Sequence, residues 1–201
     1  AELTIEKRAA ELETVAKLSM IVSNILDPQK LLKVFVDQAK REFVLYHVHI
    51  YLLDENQLVL TLSAGSGDIG QKMVDENWHI PIDREQSLVA KVARERQGVI
   101  VNDIKSEPDF LPNIYLPNTK SEMAVPLLVG ENILGVLDVQ SDEINHFSEE
   151  DLSIQTTLAS QVAIALQNST LYANAQKALA ERELLLTTSD TLYAGAAQII
   201  R

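Results

Sequence analysis

His47, His49 and Tyr51 stand on alternate positions of one short β-rich run. Alternation turns all three to the same face of a strand, with about 7 Å between successive members. With His79 from another predicted strand they could ligate a metal or a haem iron, and they equally suit polar positions on a partly covered sheet face. Haem uptake, read as a Soret band, separates the two readings. A second candidate is Arg84, at the start of a helix that Asp83 and Gln86 open as a capping box. Backbone donors, a positive dipole end and a cation there would suit a carboxylate or phosphate, unless Asp83 simply caps its own helix. No other residues are spaced as a Ser-His-Asp or paired-carboxylate site. The chain contains no Cys. That eliminates a disulfide framework, a Cys-based zinc site, an iron–sulfur cluster, a thiol nucleophile and a thioether-linked cofactor.

The elements that must carry these residues follow from period and punctuation. Asp27-Pro28 ends a first helix and opens a second, since Asp caps well and Pro fits a first turn. Residues 29–43 read as an amphipathic helix with Leu31, Leu32, Val34, Phe35, Val36 and Ala39 on its buried side. Residues 46–53 and 58–63 form a hairpin about Asp54-Glu55-Asn56, with Gly65, Gly67 and Gly70 in the loop beyond. Residues 78–82 contain Pro81 and so read as an edge strand. The Asp83 helix runs to about Arg96, closed by Gly98, and residues 99–101 make a short strand. Residues 102–120 hold Pro108, Pro112 and Pro117 and predict a long loop with one helical turn. Residues 123–129 and 133–140 form a second hairpin about Gly130-Glu131-Asn132, and Ser148 with Asp151 opens a long last helix. The order implies an antiparallel sheet with helices on its faces, an α+β domain.

The formal net charge is −12. Without a basic cluster, that argues against nucleic acid and against an anionic membrane surface. No apolar run approaches the length of a membrane span, and the N-terminus lacks a signal-peptide pattern. With no Cys to reveal the compartment, the cytoplasm is the default expectation. The charge is uneven: residues 1–26 carry −1, residues 176–201 are balanced, and −11 falls between. The two ends are poor in Gly, free of Pro and rich in helix formers. Ile5, Leu12, Val15, Ser19, Val22 and Leu26 follow a three–four spacing with Arg8 filling the one gap, as do Leu158, Val162, Ala165, Ser169, Tyr172, Gln176, Leu179, Glu183 and Leu186. Ile164, Leu171, Ala178, Leu185, Leu192 and Ile199 repeat every seven residues beside the latter row. The inner half of each helix is expected to pack on its own domain and the outer half to self-associate.

Several segments together resemble the GAF domain, a small-molecule-sensing module of bacterial signalling proteins. They are Leu26-Asp27-Pro28 with Leu31-Leu32, Ser87 to Ala90 with Gly98 and Val99, Val101 to Ile104 leading to Pro108-Asp109-Phe110, the Ser121 to Val139 hairpin, and Phe147 to Asp151. The resemblance covers residues 12–175 or so. It implies a sheet of five to six strands with the terminal helices on one face and a short helix plus loops over a ligand pocket on the other. By that analogy Trp78, Ile80, Leu88, Val92, Phe110, Ile114, Tyr115 and Met123 line the pocket, and Met73 to Trp78 form its lid. It also implies a homodimer through the terminal helices, with Leu12, Val15, Val22, Leu158, Val162, Ala165, Tyr172, Leu179 and Leu186 at the interface. The division expected is a signalling helix at 1–26, a sensor domain at 27–170, and a linker helix at 171–201 leading to a kinase, a cyclase or a second sensor.

The chemistry of that family narrows on this chain. Cyclic-nucleotide-binding members carry an Asn-Lys pair and a later Phe-x-x-x-Asp-Glu; here Phe147 and Asp151 are present, but Leu152 follows, and Asn145 precedes His146. Phe147 and Asp151 also suit anchoring and capping of the last helix. Members that hold a bilin covalently, and members that reduce methionine sulfoxide, use Cys, which is lacking. The expectation is a non-enzymatic regulatory sensor with an unidentified ligand, haem being disfavoured. The alternative is a ligand-free dimerisation module.

Overall fold

A computed structural model describes residues 2–107, 110 and 112–199, with side chains described between 8 and 188. Pro108, Asp109 and Leu111 of the long loop lie outside the described residues, as do the side chains of Ile5, Leu192 and Ile199.

The chain opens with α1 (Glu2–Ser23) and α2 (Pro28–Glu42), separated as the Asp-Pro pair requires. Asp27 accepts a hydrogen bond from the Lys30 amide at 2.8 Å, filling one of the orphan donors of the first turn. Strands β1 (His47–Leu53) and β2 (Val59–Gly65) follow, then α3 (Gly67–Asp75), β3 (His79–Pro81), α4 (Leu88–Glu95) and β4 (Val99–Val101). A single 3-10 turn at Ile104–Ser106 begins the long loop. β5 (Ser121–Val129), β6 (Asn132–Ser141) and the 51-residue α5 (Glu149–Ile199) complete the fold.

The six strands form one antiparallel sheet in the order β3-β2-β1-β6-β5-β4. Its two faces are sorted by the period of two. Val48 and Ile50 of β1, Met123, Val125 and Leu127 of β5, and Leu137 and Val139 of β6 pack with Leu18 and Val22 of α1, Phe35 of α2, and Leu158, Val162 and Ala165 of α5. The intervening residues Tyr51, Ala124 and Val136 join Met73 of α3 and Val89, Val92 and Ala93 of α4 in a second core. The terminal helices and the pocket-side elements therefore occupy opposite faces, as the resemblance implies.

Three local expectations change. The Gly65–Gly70 segment is not an open loop, because α3 begins at Gly67. A Cβ built on Gly70 would stand 2.1 Å from the Gly65 carbonyl carbon, so the strand end and the helix cross at backbone contact. Asp83 opens no helix: residues 82–87 turn the chain back from edge strand β3, and Ser87 caps α4 through the Ala90 amide at 3.2 Å. Arg96, at φ +57°, closes α4, while Gly98 leaves room for Leu152 and Val125. At the last helix the expected box forms, with Ser148 Oγ bonded to the Asp151 amide at 3.2 Å and Asp151 Oδ2 to the Ser148 amide at 2.8 Å.

Candidate functional site

The face opposite the terminal helices encloses a cavity of about 320 Å³. Its floor is laid by strand alternation: Tyr51 from β1, Glu122 from β5, and Asp138 and Gln140 from β6, with Thr119 just ahead of β5. Register brings them together, since His49 pairs with Asp138, Ala124 with Asp138, and Glu122 with Gln140. Trp78, Ile80, Leu88, Val89, Phe110 and Ile114 form largely apolar walls, and His79, Arg84, Gln86 and Ser87 also line it.

The floor is a connected polar network. Thr119 Oγ1 donates to Gln140 Oε1 at 2.7 Å, and Gln140 Nε2 donates to Asp138 Oδ2 at 2.9 Å. His49 Nδ1 lies 3.1 Å from the same oxygen, which makes that nitrogen the donor. Asp138 Oδ1 is buried and has no hydrogen-bond partner among the described residues. Burial first, then the Asp138 charge and a hydrogen bond to it, hold the Glu122 proton well above the usual carboxylate range. Two buried carboxyls thus share a proton on the cavity floor. Burial, then the Asp138 and Glu122 charges, also push the Tyr51 phenol above its ordinary value.

His47, His49 and Tyr51 do share a face, with ring centroids of 4.3 Å between the histidines and 5.6 Å from His49 to Tyr51. They are buried rather than partly covered. Burial, reinforced by His49 and by Lys40 and Lys33, lowers His47 to about 2, so its ring is neutral. His79 lies on the exposed edge strand, with β2 between it and β1. Among the described residues no cluster of three or more His, Cys, Asp or Glu is arranged to hold a metal ion.

Of the eight pocket residues expected, Trp78, Ile80, Leu88, Phe110 and Ile114 line the cavity, with Ile114 at the exposed rim. Val92 is buried in the core beneath α4 and Met123 in the core against the terminal helices. Met123 is on the wrong face because its neighbour Glu122 occupies the cavity side. Tyr115 stands behind the wall: its ring packs on Trp78 at 5.7 Å and its hydroxyl donates to the Glu76 carboxylate at 2.9 Å. Trp78 Nε1 donates to the same carboxylate at 3.1 Å, so Glu76 clasps the long loop to the end of α3. The segment from Met73 is consequently no free lid, since Met73 is itself fully buried. Sequence reasoning missed Glu122, Asp138, Gln140 and Thr119. The signal available was polar residues alternating with apolar ones in Glu122-Met123-Ala124 and Leu137-Asp138-Val139-Gln140.

The interface residues also divide. Val22, Leu158, Val162 and Ala165 belong to the domain's own core, with Val15 packed against it. Leu12, Tyr172, Leu179 and Leu186 are exposed. In α1 the buried face runs through Leu18 rather than Leu12, which points outward.

A GAF-domain family model matches residues 26–167, and the chain belongs to that family. It is 32% identical over 113 residues to GAF domain-containing protein A of Dictyostelium discoideum, a match covering 56% of this chain and 64% of that protein. In fold it resembles the free methionine-R-sulfoxide reductase of Neisseria meningitidis, at 23% identity and a TM-score of 0.71 over 83% of this chain and 93% of that one. It likewise resembles the GAF domain of an Acinetobacter phosphoenolpyruvate-protein phosphotransferase, at 22% identity and 0.70 over 82% and 97%. GAF domains are widely used as regulatory sensor modules. Among the described residues no helix is long and apolar enough to cross a membrane.

Proposed function

We propose that this chain is a cytoplasmic sensor domain whose cavity binds a small molecule and whose terminal helices pass the binding event to a partner copy and a following module, a kinase, a cyclase or a second sensor. The observation that carries the reading is the cavity itself: apolar walls around a floor of converging polar groups, in a fold used for sensing. Binding rather than turnover is favoured because the chain lacks the Cys that the resemblance assigns to sulfoxide-reducing members. The mechanism is a population shift, in which the ligand prefers one packing of the helices over another.

Strand β5 is the physical route. Its even residues Glu122 and Ala124 face the cavity side, and its odd residues Met123, Val125 and Leu127 pack on the terminal-helix side. A ligand that draws Glu122 moves the strand that α5 rests upon. Native mass spectrometry of protein purified from its host tests the reading. A retained small molecule, lost when Leu88→Trp fills the cavity, supports it; a bare chain that takes up nothing from a broad ligand screen supports the dimerisation module instead.

A further inference from the structure

The polar groups of the cavity are unevenly placed. The floor holds two carboxyls, and most of its donors are already engaged: Thr119 gives its proton to Gln140, while Gln140 and His49 each give one to Asp138, which leaves the Tyr51 hydroxyl and the second Gln140 N–H. Glu122 is 95% buried, at 5% exposure, lines the cavity, and has no donor among the described residues other than the proton it shares with Asp138. The floor therefore presents more oxygen lone pairs than free protons. A neutral acceptor or an anion placed there would meet oxygen lone pairs; a group bringing several N–H donors and a positive charge would satisfy Glu122 and the orphaned Asp138 Oδ1 together. Trp78, Ile80 and Leu88 give such a molecule apolar surface above the floor.

We infer that the cavity takes a small molecule bearing a protonated amine, its ammonium seated against the Glu122 and Asp138 carboxyls and an apolar body lying between the Trp78 and Leu88 walls. The inference rests on the sensor reading and assigns the ligand class for the same site. Arg84, which also lines the cavity, has no carboxylate partner among the described residues and accommodates an acidic group at the ligand's far end. The titratable and charged groups around Glu122 are Asp138 on β6, Tyr51, His49 and His47 on β1, and Arg84 and His79 at the lining; α4 presents only Leu88 and Val89 to the cavity. An arriving ammonium replaces the shared proton as the charge that balances the pair. Glu122 passes its proton to solvent as the cation takes its place.

Calorimetric titration of the full chain with 2-phenylethylamine, L-phenylalanine, 2-phenylethanol and 3-phenylpropionate tests this in buffers of different ionisation enthalpy. The two amines are expected to bind at least about tenfold more tightly than the alcohol and the acid, with protons released on binding. Glu122→Gln should retain the fold by circular dichroism, lose the proton release and weaken the amines about tenfold. Binding of the alcohol or the acid as tight as that of the amines overturns the inference and leaves the sensor reading standing. Amine binding without proton release overturns it as well. Failure of all four probes, with no small molecule on the host-purified chain, removes both.

Discussion

Glu122 and His47 sit on the same sheet face, both buried, and titrate in opposite senses. His47 is held to about 2, against an ordinary 6.5, so as pH falls below 6.5 the unfolded chain takes a proton that the folded chain refuses. Its contribution to stability is present above pH 6.5 and lost toward acid. Glu122 retains its proton above the ordinary 4.5, so the unfolded chain ionises first as pH rises. Its contribution is complete below pH 4.5 and is lost as pH climbs toward the folded value. Urea unfolding from pH 5 to 8 should therefore show the parent chain losing stability relative to Glu122→Gln as pH rises, by up to about 1.4 kcal/mol per pH unit. A pH-independent difference would show that Glu122 is already ionised. The chemistry legible in the sequence at this scale was the alternation of His47, His49 and Tyr51, which does place them side by side. The carboxyl pair was not legible, because Glu122 and Asp138 meet only through the β5–β6 register, and sequence spacing carries no trace of a register. Met123, expected in the pocket by analogy, faces the terminal helices because β5 alternates and Glu122 takes the cavity side.

Among the elements, the ends and crossings carry the specificity. Ser148 and Asp151 satisfy each other's backbone at the start of α5, and Ser148→Ala should cost about 1 kcal/mol, read as a lower thermal midpoint with unchanged secondary structure. Gly70 is more demanding, since a methyl there meets backbone rather than a flexible side chain. Gly70→Ala must push α3 off the end of β2 and should cost about 1–3 kcal/mol in denaturant unfolding. Because Met73 of α3 belongs to the second core, the same change should loosen the cavity wall. These elements were largely visible in sequence: strands from period two, the Asp27 and Ser148 caps from their spacing, and edge strand β3 from Pro81. α3 was hidden by its glycines, which mark loops by propensity but here permit a backbone crossing. The Asp83 box failed because a tight return from β3 needed those residues, leaving Ser87 to cap α4.

At the scale of the molecule, α5 changes character along its length. Through Ser169 it contributes Leu158, Val162 and Ala165 to the core; from Thr170 to Thr188 every residue is exposed. The described helix runs some 30 residues past that point, about 45 Å at 1.5 Å per residue. A lone helix in water gains nothing from tertiary packing, and propensity alone leaves it marginal. Its exposed face nevertheless carries Leu171, Ala178 and Leu185 at seven-residue spacing beside Tyr172, Leu179 and Leu186, a double row suited to a second helix. The charge map agrees: residues 176–201 are neutral overall, so two copies can approach there while the acidic domains stay apart. Light scattering should therefore give twice the chain mass, and Leu179→Glu with Leu185→Glu should return it to one chain with the near-ultraviolet signal of the domain unchanged. A single-chain mass for the parent at micromolar concentration would defeat the dimer. If the dimer holds, distances between spin labels at position 186 in the two copies should shift when an occupant enters the cavity. Met123→Ala, which cuts the packing between β5 and the helix side without touching the cavity, should leave binding in place and shrink that shift. A shift of full size in Met123→Ala would mean that the signal leaves the cavity by some element other than β5.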